Sequence, residues 1–365
     1  MDEGGSRSFR AALGEFATAL GRAIHASEES VAHAVRVFER LSGPWAELPL
    51  GDRPPWPNDI CDDGSPFELS AAFNDGRTEL RMLVEPQEAP FTLASNWKAG
   101  LAVNDALAQH EGASLERFAR IAPLFAPEEG DDAVFALWHA AVLESTGESL
   151  FKAYVNPRIH GAARAPSLVR EALVELGLEK EAALVERLVG DDGDALRYFS
   201  LDLAATETAR VKIYVARSDS ARAVERLVEP TRNFDPGLAS ELLYGLTGHL
   251  GPFNERPILV CFAFDGKSDA PVGTLHVPIR CYCPNDEAVL ARIMSKMDAT
   301  EATMLHDAVR AIAPGPLREC TGVITYASFR PGPRAIRTTA YLAPMLYRRR
   351  IERTRRDSSA PSAIV

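Results

Sequence analysis

The sequence predicts an α+β fold: a ten-stranded antiparallel β-barrel surrounded by helices, built from five ααββ units. Three observations carry this. Five segments alternate apolar and polar residues about turn residues, as β-hairpins do. Each is preceded by stretches with apolar residues at three- and four-residue steps, the helical period. Equivalent positions in the second strands, Arg81, Lys152, Lys212, His276 and Tyr341, recur at separations of 71, 60, 64 and 65 residues. A period of that size marks a repeat whose single copy cannot bury its own apolar face. An antiparallel sheet with helices on one face loses its exposed edges by closing into a barrel.

The first unit places helices at 8–26 and 30–41 and a hairpin at 66–86, with Asn74-Asp75-Gly76 as a strong turn signal. The second has helices at 92–109 and 114–122 and a hairpin at 134–157 that turns at Ser145-Thr146-Gly147. The third has a helical stretch at 167–189, broken near Gly177, and a hairpin at 196–217. Helices at 222–228 and 237–246 lead to the fourth hairpin, 257–283. Helices at 286–297 and 301–312 lead to the fifth, 322–346, which turns at Pro331-Gly332-Pro333. No low-complexity linker interrupts the array, so residues 1–350 read as one domain. Residues 351–365 end rich in Ser, Ala and Pro and read as a disordered tail.

The formal net charge of −11 argues against a general nucleic-acid binder, which needs a basic surface to displace phosphate counterions. No apolar run reaches the roughly 18–20 residues that span a bilayer, and MDEGGSRSFR lacks the apolar region of a secretory signal. Cys61, Cys261, Cys281, Cys283 and Cys320 are odd in number and show no framework, which suits free thiols in a reducing cytoplasm. Cys281-x-Cys283 lies in a strand-like run without a second pair or a histidine at zinc spacing, so no metal is expected there. Neither a magnesium-binding Asp-Asp-x-x-Asp nor a glycine-rich nucleotide loop occurs; Asp265-Gly266-Lys267-Ser268 has the end of a P-loop but falls in a hairpin turn. No conspicuous apolar surface helix argues for a stable dimer, so a monomer or weak homodimer is expected.

Alternate side chains of a strand face opposite sides of the sheet. In ARVKIYV one face is Arg210, Lys212 and Tyr214, and the other Val211, Ile213 and Val215. In FKAYVN, Lys152, Tyr154 and Asn156 oppose Phe151, Ala153 and Val155. In TELRMLVE, Glu79, Arg81 and Leu83 oppose Leu80, Met82 and Val84, and in TLHVPIRCY, Thr274, His276, Arg280 and Tyr282 oppose Leu275, Val277 and Ile279. The helices need the aliphatic face, so the basic and tyrosine-rich face is expected to line a lumen. Lys and Arg converging in an enclosed volume bind a phosphorylated group, Arg with bidentate geometry. Tyrosine rings around the same volume stabilise a cation. A diphosphate beside a carbocation matches both sets, with its charge held by side chains.

Several short motifs occur in order: Gly64-x-Pro66-x-Glu68-Leu69-Ser70; Arg81 followed by Glu85-Pro86; Lys152-x-Tyr154; Arg210-x-Lys212-x-Tyr214; His276-Val277-Pro278 with Asn285-Asp286; and Thr325-Tyr326-x-Ser328 ahead of Tyr341. In these the chain resembles the aromatic prenyltransferases of the dimethylallyltryptophan synthase type, bacterial members of the ABBA fold, over residues 35–345. The resemblance implies transfer of a dimethylallyl group from dimethylallyl diphosphate to an indole ring carbon, of L-tryptophan or a derivative, by Friedel–Crafts alkylation without an essential Mg²⁺. It implies that Arg81, Lys152, Arg210, Lys212 and His276 grip the diphosphate, and that Tyr154, Tyr214, Tyr326 and Tyr341 shield the allyl cation. Glu68 would accept a hydrogen bond from the indole N–H, while Ile60 and Arg197 would hold the acceptor, Arg197 through its carboxylate. His139, thirteen residues before Lys152, stands where some members carry a lysine base; a neutral imidazole suits that role. His276 and Asn156 depart from tyrosines common in fungal members, and the strand carrying Arg210 is expected to contribute more to diphosphate binding than the one carrying Lys152. Two readings remain beside this one: the same fold acting on a phenol- or naphthalene-type acceptor, and a non-catalytic barrel that binds a phosphorylated or prenylated ligand.

Overall fold

The computed structural model describes residues 7–74, 76–144, 148–206 and 209–347. Five hairpins supply the strands: β1 (Phe67–Asn74) with β2 (Arg77–Val84), β3 (Leu137–Glu144) with β4 (Ser149–Val155), β5 (Leu196–Asp202) with β6 (Val211–Arg217), β7 (Ile258–Phe264) with β8 (Val272–Val277), and β9 (Ile324–Pro331) with β10 (Ile336–Leu342). Each strand pairs antiparallel with its neighbours in the chain, and β1 pairs with β10, Ser70 opposite Tyr341, so the ten strands form a closed barrel. Closure leaves no strand edge open to another chain.

Around the wall run α1 (Phe9–Ala23), α2 (Glu28–Ser42), α3 (Leu93–Glu111), α4 (Glu116–Ile121), α5 (Ala165–Glu175), α6 (Glu179–Val189), α7 (Ala221–Val228), α8 (Leu238–Thr247), α9 (Asp286–Met294) and α10 (Ala299–Ile312). Their starts carry side-chain caps: Ser8, Ser27, Ser220, Asn285 and Asp298 each accept a first-turn N–H. Thr92 and Ser95 form a reciprocal capping box. The expected break at Gly177 separates α5 from α6; its φ of +73° is a left-handed conformation that glycine adopts without a Cβ clash. Outward strand residues meet the helices. Phe67, Phe73, Phe199, Phe262 and Phe329 are completely buried there, and burial of such a ring contributes roughly 1.5–3 kcal/mol. Among the described residues no helix is long and apolar enough to cross a membrane.

The alternation expected for β2, β4 and β6 is present: Arg81 lies opposite Ser70, Lys152 opposite Ala140, and Lys212 opposite Ser200, all toward the lumen. Two expectations need correction. Strand β8 ends at Val277, because Pro278 has no N–H for the ladder, and Ile279–Tyr282 coil into a 3₁₀ turn. Arg280 and Tyr282 therefore leave the wall, as does Cys281: Arg280 pairs with Asp62, and the Tyr282 hydroxyl donates to the Arg256 carbonyl. Asn156 lies past the end of β4 and donates to the Phe135 carbonyl at 3.0 Å, so it is a loop anchor and not a lumen residue. Asp265 accepts the Lys267 and Ser268 N–H groups at 3.1 and 2.8 Å, making the P-loop-like string an ordinary Asx turn. Asp75 of the first turn signal, Ser145-Thr146-Gly147 of the second, and the tail at 351–365 lie outside the described residues.

Gly193, which opens the short turn feeding β5, permits a close chain crossing: a Cβ there would stand 1.7 Å from the Ala162 carbonyl oxygen. Gly193→Ala is expected to destabilise the barrel by about 1–3 kcal/mol or more, read as a lower urea midpoint; an unchanged midpoint would contradict this contact.

Candidate active site

The lumen has two halves. At the hairpin-turn end a cavity of about 270 Å³ is lined by six basic side chains, Arg81, Lys152, Arg210, Lys212, Arg330 and Arg337. At the other end, where the first strand of each hairpin begins, a narrower space of about 100 Å³ is lined by Asp59, Ile60, Trp138, Tyr198, Arg256, Leu259 and Tyr326. Glu68, Leu83, Tyr154, Tyr214, His276 and Tyr341 line both.

The basic end is a buried cluster of like charge held by few carboxylates. Arg81 Nε donates to Glu79 at 3.0 Å, and Arg210 Nε to Asp202 at 2.8 Å. Burial opposes ionisation of Asp202, yet Lys152, Arg210 and Lys212 keep its carboxyl below the ordinary aspartate range. The cations feel the reverse. Burial, then Lys212 and Arg210, push Lys152 well below the normal lysine value, and burial leads in bringing Lys212 down to about 8. Arg330 is lowered to about 10 by burial and by Arg337, Arg81 and Arg210. A polyanion entering here meets cations that are short of counter-charge.

An aromatic belt separates the halves. The Tyr154 and Tyr214 hydroxyls are 3.3 Å apart. Tyr214 meets Tyr198 edge-on at 5.6 Å and His276 at 5.4 Å, and His276 lies 5.8 Å from Tyr341. Burial, with Lys212 and Arg81 nearby, drops His276 to about 3, so its imidazole is neutral. Glu68 accepts from Thr325 Oγ1, and burial raises its carboxyl to about 8. Two bulges arrange the narrow end. Thr325 and Tyr326 together oppose Tyr341 alone, which brings Thr325 onto Glu68 while Tyr326 enters the cavity. In β5, Arg197 is the extra residue between Leu196 and Tyr198. Tyr198 thus lines the space, and Arg197 stands at its rim near Arg158, Tyr326 and Asp59.

The 58–65 loop that closes this end is tied at several points. Asn58 donates to Glu85 through Nδ2 and accepts the Ile60 N–H at 2.7 Å. Asp62 pairs with Arg256 at 2.9 Å and with Arg280. Asp63 accepts from Ser65 and from the Tyr347 N–H. Glu85 is completely buried and held well above the usual carboxylate range, chiefly by that burial; the Trp138 and Trp56 indoles turn toward it. Among the described residues no group of three or more His, Cys, Asp or Glu side chains is arranged to hold a metal ion.

A family profile described as tryptophan dimethylallyltransferase matches residues 37–310. The chain belongs to this family. It is an aromatic prenyltransferase with the ABBA barrel. It is similar to 6-dimethylallyltryptophan synthase from Micromonospora olivasterospora, solved with DMASPP and Trp, at 30% identity, 93% of this chain and 98% of that one, and a TM-score of 0.85. It is similar to 5-dimethylallyltryptophan synthase from Streptomyces coelicolor at 26% identity over 98% and 99% of the two chains, with a TM-score of 0.81. PriB in ternary complex with L-tryptophan and dimethylallyl thiolodiphosphate is 29% identical over 93% and 97%, with a TM-score of 0.80. No protein of curated function matches the sequence.

Of the residues expected in the prenyltransferase site, Arg81, Lys152, Arg210, Lys212, His276, Glu68, Ile60, Tyr154, Tyr214, Tyr326 and Tyr341 line the two cavities. His139 does not. It pairs with the outward Val84, is completely buried behind the wall, and bonds Asn104 of α3 through Nε2 at 2.9 Å. The strand parity that turns Lys152 and its partner Ala140 inward turns His139 outward and brings in Trp138. Burial depresses the His139 imidazole to about 3. Arg330, Arg337, Trp138, Tyr198, Arg256 and Asp59 also line the lumen and were not foreseen; the alternation through Trp138 and Arg330 was the available signal. His139→Ala is expected to lower stability by about 1–3 kcal/mol through the orphaned Asn104, with kcat of the folded enzyme unchanged. A large loss of kcat at unaltered stability would return His139 to a role as base.

Proposed function

We propose that this prenyltransferase moves the dimethylallyl group of dimethylallyl diphosphate onto an indole ring carbon of L-tryptophan. The observation that carries the reading is the pair of half-cavities joined by one aromatic belt: a cationic end, an aromatic end, and tyrosines shared between them. The diphosphate lies among Arg81, Lys152, Arg210, Lys212, Arg330 and Arg337, which supply the charge that a magnesium ion would otherwise supply. The C–O bond breaks heterolytically and its electron pair leaves with the diphosphate. The allyl cation forms against Tyr154, Tyr214 and Tyr341, whose ring faces favour positive charge and exclude water. His276 adds a neutral imidazole to that shield and can donate to the diphosphate.

The indole lies between Trp138, Tyr198 and Tyr326 and gives its N–H to Glu68, which raises electron density in the ring. A ring carbon attacks the cation, and the arenium then loses its proton. With His139 behind the wall, Glu68 and His276 are the acceptors facing the shared space. The carboxylate of the amino acid meets Arg256 and Arg197 at the rim. PriB, 29% identical, has been solved with L-tryptophan and dimethylallyl thiolodiphosphate together, which supports this pairing of donor and acceptor.

Incubation with dimethylallyl diphosphate, EDTA and a panel of indoles and phenols, followed by mass analysis, tests the reading. A +C5 adduct of tryptophan is expected with EDTA present. No adduct with any acceptor would overturn the transferase reading, an adduct confined to phenols would overturn the acceptor, and loss in EDTA would overturn metal independence.

The lysine shift also sets a pH dependence. A lysine lowered to about 8 is cationic below that pH and neutral above it, so donor binding weakens as pH rises through that value. Affinity for dimethylallyl thiolodiphosphate is expected to fall between about pH 7 and 9, and Lys212→Arg to remove much of that fall because Arg stays charged. A flat profile in the unaltered enzyme would contradict titration of Lys212 in the empty site.

A further inference from the structure

The loop that closes the narrow end carries four consecutive or near-consecutive acidic or amide side chains, Asn58, Asp59, Asp62 and Asp63. Asn58 is committed to Glu85 and the Ile60 N–H, Asp62 to Arg256 and Arg280, and Asp63 to Ser65 and Tyr347. Asp59 differs. Its carboxylate takes no hydrogen bond or salt bridge from any other described residue, and it lines the same space as Trp138, Tyr198 and Arg256. Its neighbours on both sides are pinned, so the side chain is held at the cavity and left available to a ligand. Burial raises its carboxyl to about 7 against the opposing pull of Arg256, Arg158 and Arg197, so a cation arriving beside it would favour the ionised form.

We propose that Asp59 receives the α-ammonium group of the amino-acid acceptor and thereby selects a free amino acid over acceptors without that amine. The inference rests on the tryptophan reading above. A zwitterionic head group presents adjacent opposite charges, and this rim presents the complementary pair, Asp59 beside the Arg256 guanidinium. Glu68 lines the same space and takes the indole N–H, so the two carboxylates hold the acceptor at its two nitrogen atoms. An acceptor with its amine acylated or missing leaves Asp59 facing the arginines with no ligand cation.

The test compares L-tryptophan with indole-3-propionate, which lacks the amine, in the unaltered enzyme and in Asp59→Asn and Asp59→Glu. For Asp59→Asn, KM for tryptophan is expected to rise about 10- to 100-fold, as for loss of a hydrogen bond to a charged group. KM for indole-3-propionate should stay the same, kcat for both should change little, and Asp59→Glu should recover part of the discrimination. Equal KM for tryptophan in the unaltered enzyme and Asp59→Asn would overturn the inference while leaving the transferase reading intact, as would preference of the unaltered enzyme for indole-3-propionate. Calorimetric binding of tryptophan with dimethylallyl thiolodiphosphate present reads the same contact without turnover. Absence of any adduct would defeat the transferase reading, whereas equal tryptophan affinity in the two proteins would defeat this one.

Discussion

The structure depends on burying several positive charges together inside a wall that is otherwise apolar. Burial of one unpaired ion is opposed by lost hydration, and burial of several of one sign is opposed further by their repulsion. Two features make it tolerable. Glu79 and Asp202 interleave with Arg81, Lys152 and Arg210, so the cluster is partly neutralised. The remaining stress appears as lowered proton affinity of Lys152 and Lys212, chiefly through burial. In the proposed reading a bound diphosphate would supply the missing negative charge. On the proposed reading, the imbalance that opposes the empty state favours donor binding.

That requirement reaches back to the sequence through strand parity. A lumen rich in Arg, Lys and Tyr forces alternate residues of every strand to be aliphatic and outward, and the outward residues in turn need helices to cover them. The helix pair before each hairpin is thus a consequence of the polar interior. This is why the repeat, the helix positions and the inward set on β2, β4 and β6 were legible: a period of two on a two-sided wall is a long, redundant signal. Gly177 acts locally and was readable as a break within one helical stretch.

The narrow end was less legible because it breaks that period. Bulges at Arg197 and at Thr325-Tyr326 shift the facing residues by one, so alternation counted from the strand interior loses its register there. Pro278 ends β8 before Arg280 and Tyr282, though the apolar-polar alternation continues in sequence. His139 was placed by its distance from Lys152 rather than by parity; thirteen residues across a turn carry it to the outer face. Asp59 and Arg256 come from connecting segments that have no period at all, and only their common cavity relates them.

These two kinds of sequence correspond to two kinds of constraint on the chemistry. The basic end is built from strand residues and their immediate neighbours, largely tied by the ladder, and a change of one side chain disturbs the charge balance of the rest. The narrow end is built from strand starts and from the 58–65 loop, which is fastened by Asn58 to Glu85 and by Asp63 to Ser65 and Tyr347. On the proposed reading, substitution within that loop would alter what the acceptor touches without changing the basic cluster at the other end. Alignment of the arene against the cation governs which ring atom is alkylated, and displacements of about 1 Å change such rates strongly. Glu85 joins the loop to one wall of the narrow space: complete burial raises its carboxyl well above the usual carboxylate range, it accepts from Asn58, and the Trp138 indole turns toward it. On the proposed reading, selectivity in the acceptor and ionisation of the donor are set by different parts of one barrel, joined through Glu68, Leu83, His276 and the three tyrosines that line both halves.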